Sequence, residues 1–143
     1  LPEFRLGLRA LGIHGMAWDV SLHVYGEKFK PSKVSFPFSY ASDVGEVGIR
    51  GKFKGIPTPF GHATIHAPET NAYGRPISAV CEIGLNLLPE LKAAGATEFV
   101  LWVLREYEAQ CNEELKPDEI ALIARLGCSL CYSAYQVEES ENS

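Results

Sequence analysis

Two pairs of residues have spacings that chemistry uses. His62 and His66 lie four apart, and Cys128 and Cys131 form a Cys-x-x-Cys. Both residue types ligate zinc, but structural zinc sites combine two such pairs into one module. The segment from His62 to Ala67 alternates as a strand does, so the two imidazoles share a face. At ~3.3 Å per residue their Cα atoms stand roughly 13 Å apart, too far for one ion unless the segment bends. Cys128 follows Gly127, where a helix ends, whereas a redox-active thiol of this spacing sits at a helix N-terminus. His62, His66, Cys128 and Cys131 are therefore weak metal candidates. Cys81, Cys128 and Cys131 read as small buried apolar residues. Glu106 and Glu108 have the spacing of one strand face, and paired carboxylates serve acid–base catalysis. The commoner fate of such a pair is a solvated strand end. No serine sits in a nucleophile elbow, and Gly45-x-x-Gly48-x-x-Gly51 lacks the preceding strand and following helix of a phosphate loop. The expectation is a non-catalytic protein with no cofactor.

Charge is more informative. The chain has 143 residues and a net charge of −5. Residues 96–143 hold ten acids against three bases, a net of −7, while residues 1–95 carry a net of +2. A general nucleic-acid binder shows a basic stripe, so nucleic acid is not the expected partner. No apolar run approaches the ~20 residues that span a bilayer, so no membrane partner is expected either. Leu1–Gly15 lacks the apolar core of a signal peptide, and four cysteines make no disulfide framework, so the expected compartment is the cytoplasm. The only methionine is Met16. The expected organisation is an extension over residues 1–15, one domain over 16–137 and an acidic tail over 138–143.

Trp18–Tyr25 alternates as a half-buried strand. Phe29–Phe38, opened by Pro31 and closed by Pro37, predicts a helix of about two turns. Val44–Phe53 predicts an irregular, glycine-bulged strand. His62–Ala67 predicts another strand. Pro76–Ala94 carries the i, i+3, i+4, i+7 pattern of an amphipathic helix with Pro89 inside it. Phe99–Leu104 is apolar on both faces and predicts a central strand covered on both sides. Pro117–Leu126 predicts a short helix, ended by Gly127, and Leu130–Val137 a closing strand. The order β-α-β-β-α-β-α-β implies an α+β fold: an antiparallel-rich sheet covered by helices, a ferredoxin-like split β-α-β with an added C-terminal α-β unit.

At Gln110-Cys-Asn-Glu-Glu-Leu-Lys-Pro117, followed by Leu126-Gly-Cys-Ser-Leu130 and Tyr135, the chain resembles a family of small bacterial proteins with an uncharacterised domain. In that family a Gln-x-Asn-x-x-Leu-x-Pro turn leads into a helix ending in Leu-Gly, then a strand ending near a Tyr. Val24-Tyr-Gly-Glu27 through Phe29-Lys-Pro31 resembles its first strand and first helix start. The resemblance spans most of Ala17–Val137, and Ser39–Pro68 matches poorly. It brings no catalytic residues to carry over. It implies that some relatives act as immunity proteins of polymorphic or contact-dependent toxins. The expectation is then a monomer or weak homodimer that binds a cognate toxin of basic, nuclease-like character, because acidic surfaces steer basic partners. Glu106, Glu108, Glu113, Glu114, Asp118 and Glu119 would supply charge, and Tyr107 and Tyr132 would supply anchors. The alternative is a domain that binds a small molecule or metal.

Overall fold

The computed structural model describes residues 18–68 and 75–137. The expected extension over residues 1–15 and tail over 138–143 lie outside the described residues. Among the described residues five strands form one sheet: β1 (Trp18–Gly26), β2 (Tyr40–Ser42), β3 (Gly61–His66), β4 (Glu98–Tyr107) and β5 (Ser129–Gln136). Among the described residues two α-helices accompany them, α1 (Pro76–Ala93) and α2 (Pro117–Leu126). The fold is α+β. The strand order is β2-β3-β1-β4-β5. β1 runs antiparallel to β3 and β4, β2 runs antiparallel to β3, and β5 runs parallel to β4. The last α-β unit extends the sheet, as expected.

The alternation of β1 decides the two faces. Val20, Leu22 and Val24 point inward, paired with Ile65 and Ala63 on one side and with Val103, Leu101 and Phe99 on the other. Ile77, Val80, Cys81 and Leu91 of α1 and Leu126 of α2 close this core. Gly84 is the point of closest approach of α1: a Cβ there would lie 2.8 Å from Leu22 Cδ2 and 3.2 Å from Leu126. Pro89 sits on the exposed side of α1 without ending it. Gly127, at φ 70°, ends α2 in the left-handed conformation that glycine tolerates.

Three expectations are corrected. The helix over Phe29–Phe38 is only a 3₁₀ turn at Pro31–Lys33. A two-turn helix has a costly nucleus, and Phe36, which precedes Pro37, is pushed toward extended backbone. The segment is instead held by Phe29, Pro31 and Val34, all buried. Without that helix, the first crossover of the ferredoxin-like pattern is missing. The strand over Val44–Phe53 is a loop with two isolated bridges and a 3₁₀ turn at Gly51–Phe53. Gly45 and Gly51 adopt positive φ and break the pleat. The strand β2 lies just before that segment and is only three residues long. Finally, among the described residues α1 and α2 cover β4 on one side, and the burial of its other side is uneven: Leu104 and Glu106 are buried there. Leu101 and Val103 are buried under the helices, whereas Val100 is half-buried and Trp102 exposed on the other face.

Candidate functional site

The face of the sheet opposite α1 and α2 collects the imidazoles. Its side chains come from the other half of each alternation: Asp19, Ser21, His23 and Tyr25 from β1, and His62, Thr64 and His66 from β3. Register places Tyr25 across from His62, His23 across from Thr64, and Ser21 across from His66 and Trp102. The rings form a row across the strands. Tyr25 stacks on His62 at 4.4 Å, Tyr40 tilts against His62 at 5.1 Å, and Trp102 meets His23 edge-on at 6.2 Å.

His23 Nδ1 lies 3.0 Å from His62 Nε2. The ring centroids are 5.2 Å apart and the planes differ by 22°. That separation is about as large as a 3.0 Å nitrogen contact permits, so the rings lie end to end. Each nitrogen points at the other, with one proton between them. Chelation of one ion needs both lone pairs to converge on a third point instead. Ser21 Oγ extends the chain at 3.1 Å from His23 Nε2. Burial pushes His23 and His62 down to about 4, with His62 adding charge repulsion at His23. Burial also lowers His66. At neutral pH all three imidazoles are uncharged, and the face is a hydrogen-bonding aromatic surface.

His66 has a serine on one side and a carboxyl on the other, a grouping reminiscent of a hydrolase triad. The hydrogen bonds run the other way. The Ser39 hydroxyl donates to the Thr64 carbonyl at 3.0 Å, so it accepts from His66 Nδ1 at 2.7 Å. In a triad the imidazole takes the serine's proton. His66 Nε2 stands 3.7 Å from Asp19 Oδ2. Burial raises the Asp19 carboxyl to about 6, against a weaker lowering by the Val20 backbone.

The four weak metal candidates are not brought together. His62 and His66 share the face opposite α1 and α2, on one side of their strand as expected, but each is engaged separately. Cys128 packs against the core under the helices, with its thiol near the Ile123 carbonyl at 3.7 Å. Cys131, three residues on, lies on the opposite face beside Trp102. Among the described residues no group of three or more His, Cys, Asp or Glu gathers to hold a metal. An open groove of about 910 Å³ is lined by Tyr25, Phe60, Trp102 and Cys131 of the same face, and by Lys28 and Lys92.

The acidic segment divides into structural and exposed carboxylates. Glu106 is 3% exposed and Glu119 is 0% exposed, so the expectation that they present charge at the surface is corrected. Glu119 Oε2 accepts from Arg75 Nε at 2.7 Å, and its Oε1 accepts from the Lys116 backbone N–H at 2.8 Å, capping α2. Glu113 is half-buried between Arg75 and Arg105 at 3.3 and 3.5 Å. Glu114 is exposed and paired with Lys116 at 2.8 Å. Glu108 and Asp118 are exposed. Tyr107 is half-buried, and Tyr132 is 39% exposed with its hydroxyl 3.5 Å from Cys111 Sγ.

Two features escaped the sequence. Arg75 links the start of α1 to the turn before α2 through Glu119, Glu113 and the Glu114 carbonyl. These contacts span 38 to 44 residues, beyond any local pattern. His23 carried a signal, since it alternates outward on β1, but its pairing with His62 needed the β1–β3 register. No protein-family model, no curated protein and no solved structure matches the chain.

Proposed function

We propose that this chain is a non-catalytic immunity protein of the bacterial cytoplasm, which binds and neutralises a cognate toxin of basic, nuclease-like character through an acidic surface. One observation carries the reading. Glu108, Glu114 and Asp118 are all exposed within the short stretch from the end of β4 to the first turn of α2. Beside them Ile120 is 53% exposed on the solvent side of α2. An apolar anchor within a charged rim is the anatomy of a protein contact, and the acids would speed capture of a basic partner. The test is co-expression with the product of the gene adjacent to its own, followed by titration. The expected result is a one-to-one complex that weakens with salt. The triple variant Glu108→Lys, Glu114→Lys, Asp118→Lys should lose roughly tenfold or more in affinity at low salt. Absence of a complex, or unchanged affinity in the variant, sinks the reading.

The groove supports a second reading, a domain that binds a small molecule. Three aromatic residues, Tyr25, Phe60 and Trp102, line a concave space of about 910 Å³, within the size range of small-molecule sites. Ligand-dependent quenching of Trp102 fluorescence would favour it over the first.

A further inference from the structure

The two edges of the sheet are built differently. β2, at one edge, is three residues long and leads into a glycine-rich loop carrying Arg50, Lys52 and Lys54. Short edge strands and nearby lysines are ordinary protection against strand addition. β5, at the other edge, is eight residues long and reads Ser-Leu-Cys-Tyr-Ser-Ala-Tyr-Gln. It contains no charge, no proline and no glycine. It pairs with β4 on one side, and among the described residues no strand pairs with its other side. Leu130 and Tyr132 stand 41% and 39% exposed along it.

We propose that β5 is a homodimer edge, where a second copy of this chain adds its own β5 in antiparallel sense to make one continuous ten-stranded sheet. Antiparallel pairing of identical strands is self-complementary about a two-fold axis, so it needs no second kind of surface. Charge selects the occupant. A chain of net charge −5 repels its copy, and β5 lets two copies meet without placing like charges opposite each other. A basic partner would instead be drawn to carboxylates, and β5 has none. Leu130 and Tyr132 would be covered in the pairing, which assigns Tyr132 to this edge rather than to the acidic surface.

The alternation of β5 supplies a clean variant. The Val137 N–H donates to the Tyr107 carbonyl on β4 at 2.7 Å. Counting back by twos, the Tyr135 and Ser133 N–H groups also face β4, so the Ala134 N–H between them points away. Ala134→Pro therefore removes an outward donor and leaves the β4 ladder intact. Leu130→Lys places a charge on the exposed edge by a different route. The measurement is sedimentation velocity of the full chain alone, from about 1 to about 200 µM, because dimer population follows protomer concentration. The expected result is a concentration-dependent dimer that both variants convert to monomer with little change in thermal midpoint. If Ala134→Pro fails to fold, Leu130→Lys alone decides. A wild-type monomer throughout the range, or a dimer that survives in Leu130→Lys, overturns the proposal. No toxin is present, so this outcome is independent of the immunity reading.

Discussion

Replacing Glu119 probes the joint that holds the acidic segment to the fold. The side chain is 1% exposed and makes two hydrogen bonds, to Arg75 Nε at 2.7 Å and to the Lys116 N–H at 2.8 Å. Glu119→Ala loses both. The capping bond is worth about 1 kcal/mol. A charge-assisted bond is worth about 1.5–3 kcal/mol when buried. Arg75 is 39% exposed, so the lower end of that range applies. The vacated volume adds a packing loss, and the total comes to about 3 kcal/mol. Glu119→Gln keeps the volume and an acceptor for Lys116 but loses the charge, so it should cost only about 1–1.5 kcal/mol. Arg75→Ala should cost more than Glu119→Gln, because it leaves a buried carboxylate with one donor fewer. Arg75→Ala combined with Glu119→Gln should then fall short of the sum of the single effects. Urea unfolding followed by circular dichroism reads all four, as shifts of midpoint at constant slope. Glu119→Ala within about 0.5 kcal/mol of wild type would refute this account of the joint.

Acid should weaken the fold through the imidazole pair. His23 and His62 are held near 4 in the folded chain against an ordinary value of 6.5. A depressed histidine binds its proton first in the unfolded state, so its contribution is whole above about 6.5 and falls away toward 4. Asp19, raised from 3.8 to about 6, acts in the opposite sense: its contribution is whole below 3.8 and is lost as pH rises through 6. Two histidines outweigh one aspartate, so the urea midpoint should drop between pH 7.5 and 4.5. His62→Phe should flatten that drop, and an unchanged drop would count against the pair. The close approach of α1 gives a separate check. Gly84→Ala meets Leu22 Cδ2 at 2.8 Å and should cost about 1–3 kcal/mol in thermal or urea unfolding. A fully stable variant would mean that the helix can lift from the sheet at no expense.

What was legible in the sequence was what repeats locally. The two-residue alternation over Asp19–Tyr25 separated core from open face correctly, the 3.6-residue pattern located α1, and Pro117 and Gly127 bounded α2. Proline and glycine misled where tertiary contacts decided. Pro31 and Pro37 framed a helix that never nucleates, because Phe29 anchors the segment instead. A Cβ on Gly61 would lie 1.9 Å from the Phe29 carbonyl. The chain therefore passes β3 too closely there to coil. Composition marked Glu106 and Glu119 as surface charge, but burial is set by tertiary contacts, which for Glu119 are those with Arg75 and the Lys116 backbone. The Arg75 joint and the His23–His62 contact lay beyond reach for one reason. Each unites residues from distant segments, and only strand order brings those segments together.

The same strand order distributes the surfaces. β1 and β3 are central, so their outward residues make the ring-lined face, and its histidines respond to protons. β4 and β5 are parallel, which requires a crossover on the helical face. That crossover carries Glu108, Glu114, Asp118 and Ile120, so acidic contact residues and face histidines stand on different elements. A partner held by the acids should therefore bind with an affinity that His23 and His62 do not set. A change of pH from 7.5 to 6.5 should leave that affinity nearly constant, because both imidazoles stay neutral until far lower pH. Raising the salt over the same range should weaken it, since the acids act through long-range charge. Strong pH dependence with weak salt dependence would move the contact surface from the crossover to the open face of the sheet.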